Sequence, residues 1–258
     1  MEVKQKGTQR DKSEVGNKYK LIGSRQSYFT QKLQAGLQWY FRQRYEYVVK
    51  SPDIAKEIED RSGTHQIPVL ITPENWCIAD TTPIFSMLDS RLSVPRFYPR
   101  GIVGALSAVT EEYFDEWAAR WCIHTRWQTT EETAQHASGE MVKEQGVPED
   151  VREAVQTQII GWGRRAGRAI GVASKVQKRA AEEEIVRIFQ HFESHLEKWP
   201  FVFGRLPTAI DTEIMGGLRA HFLYDVYPKT LLASLDKVRK WHDDFSAPIQ
   251  VNNIQNPF

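Results

Sequence analysis

The stretch from residue 66 to residue 84 combines exposed backbone with a position that can hold an anion. Two short apolar runs flank a turn rich in Pro and Asn, which predicts a β-hairpin. The second run ends at Asp80, and an apolar helical pattern begins at once. Thr81 or Thr82 can cap that helix. Because the first N–H groups of a helix point outward unpaired, we expect an anion-binding position here.

A second group of candidate residues lies on a long helical pattern between residues 101 and 127. Tyr113, Trp117, Trp121 and His124 follow one another at spacings of four, four and three, so they share one helix face. An aromatic row of this kind most often packs into a core. It can also line an apolar substrate pocket, and both interpretations stay open.

A basic stretch runs from residue 154 to residue 181 and contains no acidic residue. Three glutamates follow it directly, at positions 182 to 184. On a helix this pattern is typical of a solvated face with pairs four residues apart. A site for an anionic substrate or an acidic partner is the alternative.

The elements that must position these residues fall into two groups. A strand over 19–23, a helix over 29–40 and a strand over 45–49 predict a βαβ unit with a parallel strand pair. A short helical or irregular link over 52–58 leads to the hairpin, and a helix over 83–92 follows. After a Pro-containing linker over 93–100, the pattern is helical, with a polar loop over 128–150 that holds at most a short helix. The remaining helices are expected over 101–127, 148–171, 174–199, 208–223 and 230–245.

Composition sets limits on the class of protein. The chain has 258 residues, 41% of them hydrophobic, and a formal net charge of +1, so nothing favours a nucleic-acid or membrane partner. Residues 1–18 are polar and predict a disordered arm, and residues 248–258 predict an irregular tail. Cys77 and Cys122 have no metal-ligand or Cys-x-x-Cys spacing, so we expect no metal site and a reducing, cytoplasmic location.

Two motifs make the sequence resemble the glutathione transferase superfamily. Ile67-Pro68-Val69-Leu70, followed by Asp80-Thr81-Thr82-Pro83-Ile84, is similar to the hydrophobic-Pro-x-Leu and acidic-Ser/Thr-x-x-Ile steps of that superfamily. The run from Gly204 to Asp211 resembles the capping motif of its buried helix, with Thr208 as the cap. The resemblance implies an α/β thioredoxin-like domain over 19–92 and an all-α domain over 101–247.

The resemblance also implies a glutathione site. The Ile67–Pro68 bond would be cis, which leaves the Ile67 backbone free to pair with the peptide ligand. Asp80 would meet the γ-glutamyl ammonium group, and Thr81 would hold the γ-glutamyl carboxylate. Gln66 falls where many relatives contact the glycyl end.

Ser27 takes the place of the residue that activates the glutathione thiol in related classes. It precedes a predicted helix, where a hydroxyl and the helix dipole both favour a thiolate. Ser24, one short loop earlier, is the second candidate, and Tyr19 and Tyr28 are outside candidates. Tyr28 stands where relatives often have Pro, and Thr30 stands where redox members keep a second cysteine, which argues against dithiol chemistry.

These features predict a cytoplasmic glutathione transferase or related enzyme, with glutathione as co-substrate and a small, apolar electrophile as acceptor. The alternative is a non-catalytic protein of the same fold that serves binding, assembly or regulation. The resemblance further implies a homodimer, with the start of the long helix and the surface near Phe85, Arg91 or Arg96 at its interface.

Overall fold

The computed structural model describes residues 18–246, apart from residues 43 and 95. The predicted N-terminal arm, except Lys18, and the predicted tail over 248–258 lie outside the described residues. Within the described part, a mixed sheet with three helices comes first and a helical region follows. The predicted fold class, a thioredoxin-like α/β unit followed by an all-α unit, is confirmed.

Four strands form the sheet, in the spatial order β2-β1-β3-β4. They are β1 (Tyr19–Gly23), β2 (Tyr45–Val49), β3 (Val69–Ile71) and β4 (Cys77–Ala79). β1 and β2 are parallel, and the crossover between them contains α1 (Tyr28–Tyr40). β3 runs antiparallel to both β1 and β4. The predicted βαβ unit and hairpin are therefore confirmed.

Alternating strand residues bury both faces of the sheet. Leu21 packs with α1 and with α3 (Thr81–Asp89), whereas the next residue, Ile22, packs on the other face against α2 (Pro52–Ser62). α2 has 11 residues, with Pro52 in its first turn and Gly63 ending it in a left-handed conformation. The predicted link over 52–58 is thus a regular helix.

The second region contains seven α-helices among the described residues, besides a short 3-10 helix (Glu149–Val151) and a π-helix (Leu218–Phe222) that continues the eighth α-helix. They are α4 (Ile102–Trp127), α5 (Glu131–Glu144), α6 (Arg152–Ala169), α7 (Lys175–His195), α8 (Ala209–Gly217), α9 (Val226–Leu231) and α10 (Asp236–Ser246). Every residue of α8 is buried, and the predicted capping box opens it, with the Thr208 N–H donating to Asp211 Oδ2 at 2.8 Å. None of the helices in the described part combines the length and the apolar character that crossing a bilayer requires.

Two predictions for this region were wrong. The stretch over 128–150, predicted as a loop with at most a short helix, contains the 14-residue α5, whose buried face is made largely of the small residues Ala134 and Ala137. The single helix predicted over 230–245 is two helices, α9 and α10, with a break between Leu231 and Asp236. The predicted domain boundaries at 92 and 101 stay predictions.

The two regions contact each other along α1 and α8. A side chain at Gly216 would place its Cβ 2.8 Å from both Lys32 N and Tyr28 O, so only glycine permits this approach. The backbones of α1 and α8 therefore lie directly on each other. This contact positions the start of α1, where Ser27 lies, against the helical region.

Candidate functional site

A cleft of about 540 Å³ opens where the hairpin and α3 face α4. We call it the acidic cleft. Its walls include all five residues predicted to bind glutathione, namely Gln66, Ile67, Pro68, Asp80 and Thr81. Phe29, Thr82, Pro83 and the α4 residues Glu112, Asp115 and Glu116 complete the lining. The fold therefore brings the predicted binding residues together.

The backbone of Ile67 is open to a ligand. The Ile67–Pro68 bond is cis, as predicted, and strand β3 begins only at Val69. Within the described part of the chain, no backbone hydrogen bond joins Ile67 to another residue. Its N–H and C=O can therefore pair with an extended peptide in the cleft.

The start of α3 combines a carboxylate with an unused hydroxyl. Asp80 has a φ of 72° and caps the helix, its Oδ1 accepting from the Thr82 N–H at 3.3 Å. The cap is thus Asp80, not Thr81 or Thr82 as expected, because Thr81 already has helical geometry. Thr81 is only 3% exposed, lines the cleft, and forms no side-chain hydrogen bond with another described residue. Its hydroxyl and N–H form a position for one anionic group.

A second, more hydrophobic cavity of about 310 Å³ adjoins the acidic cleft. We call it the apolar pocket. Phe29 and Ile67 belong to the walls of both cavities. The other walls of the apolar pocket are Ser24, Gln26, Ser27, Tyr28, Ala119, Cys122, Ile123, Arg126, Trp127, Met141, Gln145, Trp162 and His221. A thiol held in the cleft near Ile67 would therefore face an apolar space that also contains Ser27.

The two candidate serines differ in how their hydroxyls are used. Ser27 caps α1, its Oγ accepting from the Thr30 N–H at 3.3 Å, and its own proton donates to no other described residue. Ser24 Oγ donates to Glu144 Oε2 at 2.7 Å and also lies 2.9 Å from Gln26 Oε1. Only Ser27 combines partial exposure in the pocket with a hydroxyl proton that is free to bind a sulfur atom.

The two outside candidates, Tyr28 and Tyr19, differ in position. Burial raises the pKa of Tyr28 well above its usual range, so its hydroxyl keeps its proton. The hydroxyl of Tyr19 accepts a hydrogen bond from Arg91 at 3.0 Å, away from both cavities. Tyr28 therefore lines the apolar pocket with a protonated hydroxyl that can donate, whereas Tyr19 lines neither cavity.

Two residues that the sequence analysis missed fix the loop that carries Ser27. Glu144, at the end of α5, accepts hydrogen bonds from the Arg25 N–H at 3.0 Å and from the Tyr47 hydroxyl at 2.9 Å. Arg126, on α4, donates through Nη1 to the Gln26 carbonyl at 2.7 Å. The helical region therefore holds the loop from both sides. The sequence carries no signal for these contacts, because the partners lie about a hundred residues apart.

The four residues predicted to line the substrate pocket lie on other faces of α4. Trp121 and His124 are buried and bond to α7, Trp121 Nε1 to Glu184 at 3.2 Å and His124 Nε2 to Glu182 at 2.8 Å. Tyr113 donates to Glu184 at 2.8 Å, and the exposed Trp117 carries the Arg120 guanidinium over its ring. None of the four lines the acidic cleft or the apolar pocket. The α4 wall of the pocket is formed instead by Ala119, Cys122, Ile123 and Arg126.

Behind the acidic cleft, one buried cation meets three carboxylates. Lys32 Nζ lies 2.6 Å from Glu111, 2.8 Å from Asp115 and 2.5 Å from Glu213. These carboxylate oxygens lie within 4.8 Å of one another, a spacing that would suit a divalent cation, but the ammonium group of Lys32 lies among them. Burial raises the pKa of Glu213 well above its usual range, more than the charge of Lys32 lowers it. Burial thus disfavours the charged form of one carboxyl in the cluster, that of Glu213.

Part of the basic stretch lines a groove of about 380 Å³ between the α4–α5 turn, α6 and α7. Arg164 forms an ion pair with Glu131 at 2.6 Å, and Arg168 and Lys178 lie on the same groove. Arg179 pairs with Glu183 at 3.4 Å, as the solvated-face interpretation predicts. The groove is separate from the acidic cleft and shares only Trp127 with the apolar pocket.

No protein-family description matches the sequence, and no curated protein matches it significantly. Solved structures, in contrast, match most of the chain. Gtt2 from Saccharomyces cerevisiae is 11% identical with a TM-score of 0.56, over 89% of this chain and 97% of its own. A glutathione S-transferase from Rhodospirillum rubrum is 16% identical with a TM-score of 0.55, over 89% of both chains. A Methylobacterium radiotolerans glutathione S-transferase in complex with glutathione sulfonate is 18% identical with a TM-score of 0.52, over 89% and 91%. With its thioredoxin-like sheet, its helical region and these structural neighbours, the chain has the glutathione transferase fold.

Proposed function

We propose that this protein binds a glutathione-type thiol in the acidic cleft and activates it for attack on an electrophile in the apolar pocket. The observation that carries the proposal is the junction of the two cavities at Phe29 and Ile67, with the free hydroxyl of Ser27 beside it. A neighbour of the same fold holds a glutathione analogue, which supports the ligand class.

Each part of the peptide ligand has a matching group in the cleft. The Ile67 backbone would pair with the peptide, Asp80 would bind the γ-glutamyl ammonium group, and Thr81 would bind the γ-glutamyl carboxylate. Ser27 would donate to the sulfur, which lowers the pKa of the thiol, and the released proton passes to water. The sulfur then forms a bond to the electrophilic carbon, at which a leaving group departs or a double bond opens.

The test is a comparison of steady-state kinetics with glutathione and an activated aryl halide. Ser27→Ala should lower kcat at saturating glutathione by up to about 10²–10³-fold, the loss typical of one preorganised donor. Asp80→Asn should instead raise KM for glutathione and leave much of kcat in place, since Asp80 lies far from the sulfur. Ser24→Ala is the matched control, because its hydroxyl donates to Glu144. Equal rates in wild type and Ser27→Ala would remove Ser27 from the proposal.

A non-catalytic role is the second candidate, and the charge of the cleft favours it. Four carboxylates line the cleft, and they oppose formation of a further negative charge on sulfur. Glutathione binding without turnover of any electrophile in a broad panel would support this candidate. Absence of glutathione binding would contradict the enzyme proposal.

We also propose a homodimer in a reducing compartment. An exposed apolar row on α4 supports the dimer: Ile102, Leu106, Val109, Tyr113 and Trp117 are between 36% and 76% exposed and recur every three or four residues. Phe85, expected near the interface, is instead fully buried and stacks on Phe97 at 4.3 Å. Sedimentation should give a dimer that Val109→Glu dissociates.

The free thiols of Cys77 and Cys122 support the cytoplasmic location.

A further inference from the structure

The acidic cleft carries an unusual charge for a site that would bind an anionic peptide. Asp80, Glu112, Asp115 and Glu116 line it, and among residues 18–246, as far as they are described, no lysine or arginine does. Glu112 and Glu116 are exposed and lie one turn apart on α4, facing the start of α3. No ion pair joins Asp80, Glu112 or Glu116 to a cation of the described chain. The cleft is therefore a region of negative potential.

Two basic groups beside the cleft do not reverse this potential. Lys32 lies behind Asp115 and is shared by three carboxyl groups, those of Glu111, Asp115 and Glu213. Arg120 is directed away, with its guanidinium over the Trp117 ring and its Nε bonded to the Glu116 carbonyl. The charge of the cleft is thus left for a ligand to balance.

The cleft nevertheless contains one position for an anion. Thr81 lines the cleft, is only 3% exposed, and its hydroxyl has no hydrogen-bond partner among the described residues. Its N–H, at the first position of α3, is also unpaired within the described chain. One carboxylate can bind here. A second carboxylate, such as the glycyl end of glutathione, would have no lysine or arginine beside it among the described residues that line the cleft.

We infer that the ligand of this cleft is a γ-glutamyl thiol peptide whose C-terminal carboxylate is replaced by an amide bearing ammonium groups, as in a conjugate with a polyamine. This inference rests on the proposed function and specifies its thiol substrate. The γ-glutamyl carboxylate occupies the Thr81 position, and the polyamine arm lies along Glu112 and Glu116. A volume of about 540 Å³ accommodates a ligand of that size.

The test measures binding to the full chain by calorimetry, with three probes at low and high salt. The probes are glutathione, glutathionylspermidine and free spermidine. We expect glutathionylspermidine to bind at least about tenfold more tightly than glutathione at low salt, and this ratio to fall as salt screens the charges. Free spermidine should bind more weakly than the conjugate, because it lacks the group for the Thr81 position.

Variants that remove carboxylates test which part of the protein causes the preference for the conjugate. The double variant Glu112→Gln/Glu116→Gln should reduce the preference for the conjugate to about threefold or less, by weakening the conjugate and strengthening glutathione. Glu149→Gln/Asp150→Asn removes the same two charges from exposed positions outside the cleft and should leave the preference unchanged.

The outcomes separate this inference from the proposed function. Glutathione binding as tightly as the conjugate would overturn the inference and leave the proposed function in place. Spermidine binding as tightly as the conjugate, with no glutathione binding, would overturn the γ-glutamyl thiol and the proposed function with it. An equal loss of preference in both double variants would also contradict the inference, because it would place the selecting charge outside the cleft.

Discussion

Two buried ionic clusters flank the candidate site, and they balance charge differently. In the first, Arg126 matches one carboxylate, Asp225, through Nε at 2.7 Å and Nη2 at 3.2 Å, and its remaining donors bind the Gln26 and Ala220 carbonyls. In the second, Lys32 serves three carboxylates. Burial alone would raise the pKa of Asp225, but Arg126 and His221 outweigh it and the pKa is lowered. The pKa of Glu213 is raised instead.

The difference shows how many carboxylates a buried guanidinium or ammonium group can compensate. A guanidinium has donors for several acceptors in one plane, so the Arg126 cluster keeps a fixed charge and ties α4 to the loop that carries Ser27. An ammonium group among three carboxylates cannot compensate all of them. The Lys32 cluster therefore holds more carboxyl groups than cations, and one of these carboxyl groups, Asp115, lines the acidic cleft.

Lys32→Met should give the largest loss of stability. It leaves Glu111, Asp115 and Glu213 buried together without a cation, and removing one partner of a buried pair costs about 3–5 kcal/mol. We expect a loss of about 5 kcal/mol in the free energy of unfolding, measured in urea. Adding Glu213→Gln to this variant should not deepen the loss. Unchanged stability of Lys32→Met would mean that the cluster is unimportant.

Asp225→Asn should cost somewhat less, about 3 kcal/mol, because it leaves the Arg126 charge buried but keeps the two carbonyl contacts. The same urea measurement checks this value. The variant should also loosen the loop around Gln26, which hydrogen exchange at residues 24–27 would detect. A loss below about 1 kcal/mol would contradict the fixed-charge description of this cluster.

The next largest effect should be the contribution of His221 to the pH dependence of stability. Burial, then the charge of Arg126, lowers the pKa of His221 to about 4, against an unfolded value of about 6.5. The stabilising contribution is therefore complete above pH 6.5 and is lost as the pH falls towards 4. At pH 5.5 it is reduced by about 1 kcal/mol. His221→Asn should show a flatter profile between pH 6.5 and 4; an unchanged slope would assign the acid loss to other groups.

Glu213→Gln should have the smallest effect, below about 1 kcal/mol at neutral pH. Burial raises the pKa of Glu213 and so disfavours its charged form, and a neutral amide of the same shape should replace it at little cost. Between the unfolded pKa and the raised native pKa, wild-type stability falls as the pH rises, and the variant should lack this fall. A loss near that of Asp225→Asn would mean that Glu213 is charged and the clusters are alike.

The secondary structure and its order could be predicted from the sequence better than the buried polar contacts. The βαβ unit and the hairpin follow from local patterns, the cis proline and the Thr208–Asp211 cap follow from the resemblance to the superfamily, and the structure has all of them. Helix α5 was missed because small residues such as Ala134 and Ala137 give a weak apolar period.

The ionic clusters could not be foreseen for a different reason. Lysine is almost never buried, so position 32 gave no signal, and its partners follow 79 to 181 residues later in the chain. For the aromatic face of α4, the spacing of the residues identified the face but not the element that packs against it. Trp121 and His124 were correctly grouped on a face, but periodicity alone does not say which neighbour that face contacts, and here it is α7.

The close approach at Gly216 has a consequence for how this protein can change over evolution. The spacing between its two regions is set by backbone atoms of α1 and α8, which are the same in every sequence. The outer walls of the apolar pocket, in contrast, are side chains such as Met141 and the exposed Trp162. We expect descendants of this chain to acquire new acceptor preferences by replacing those side chains, while the position of α1 against α8 is inherited unchanged.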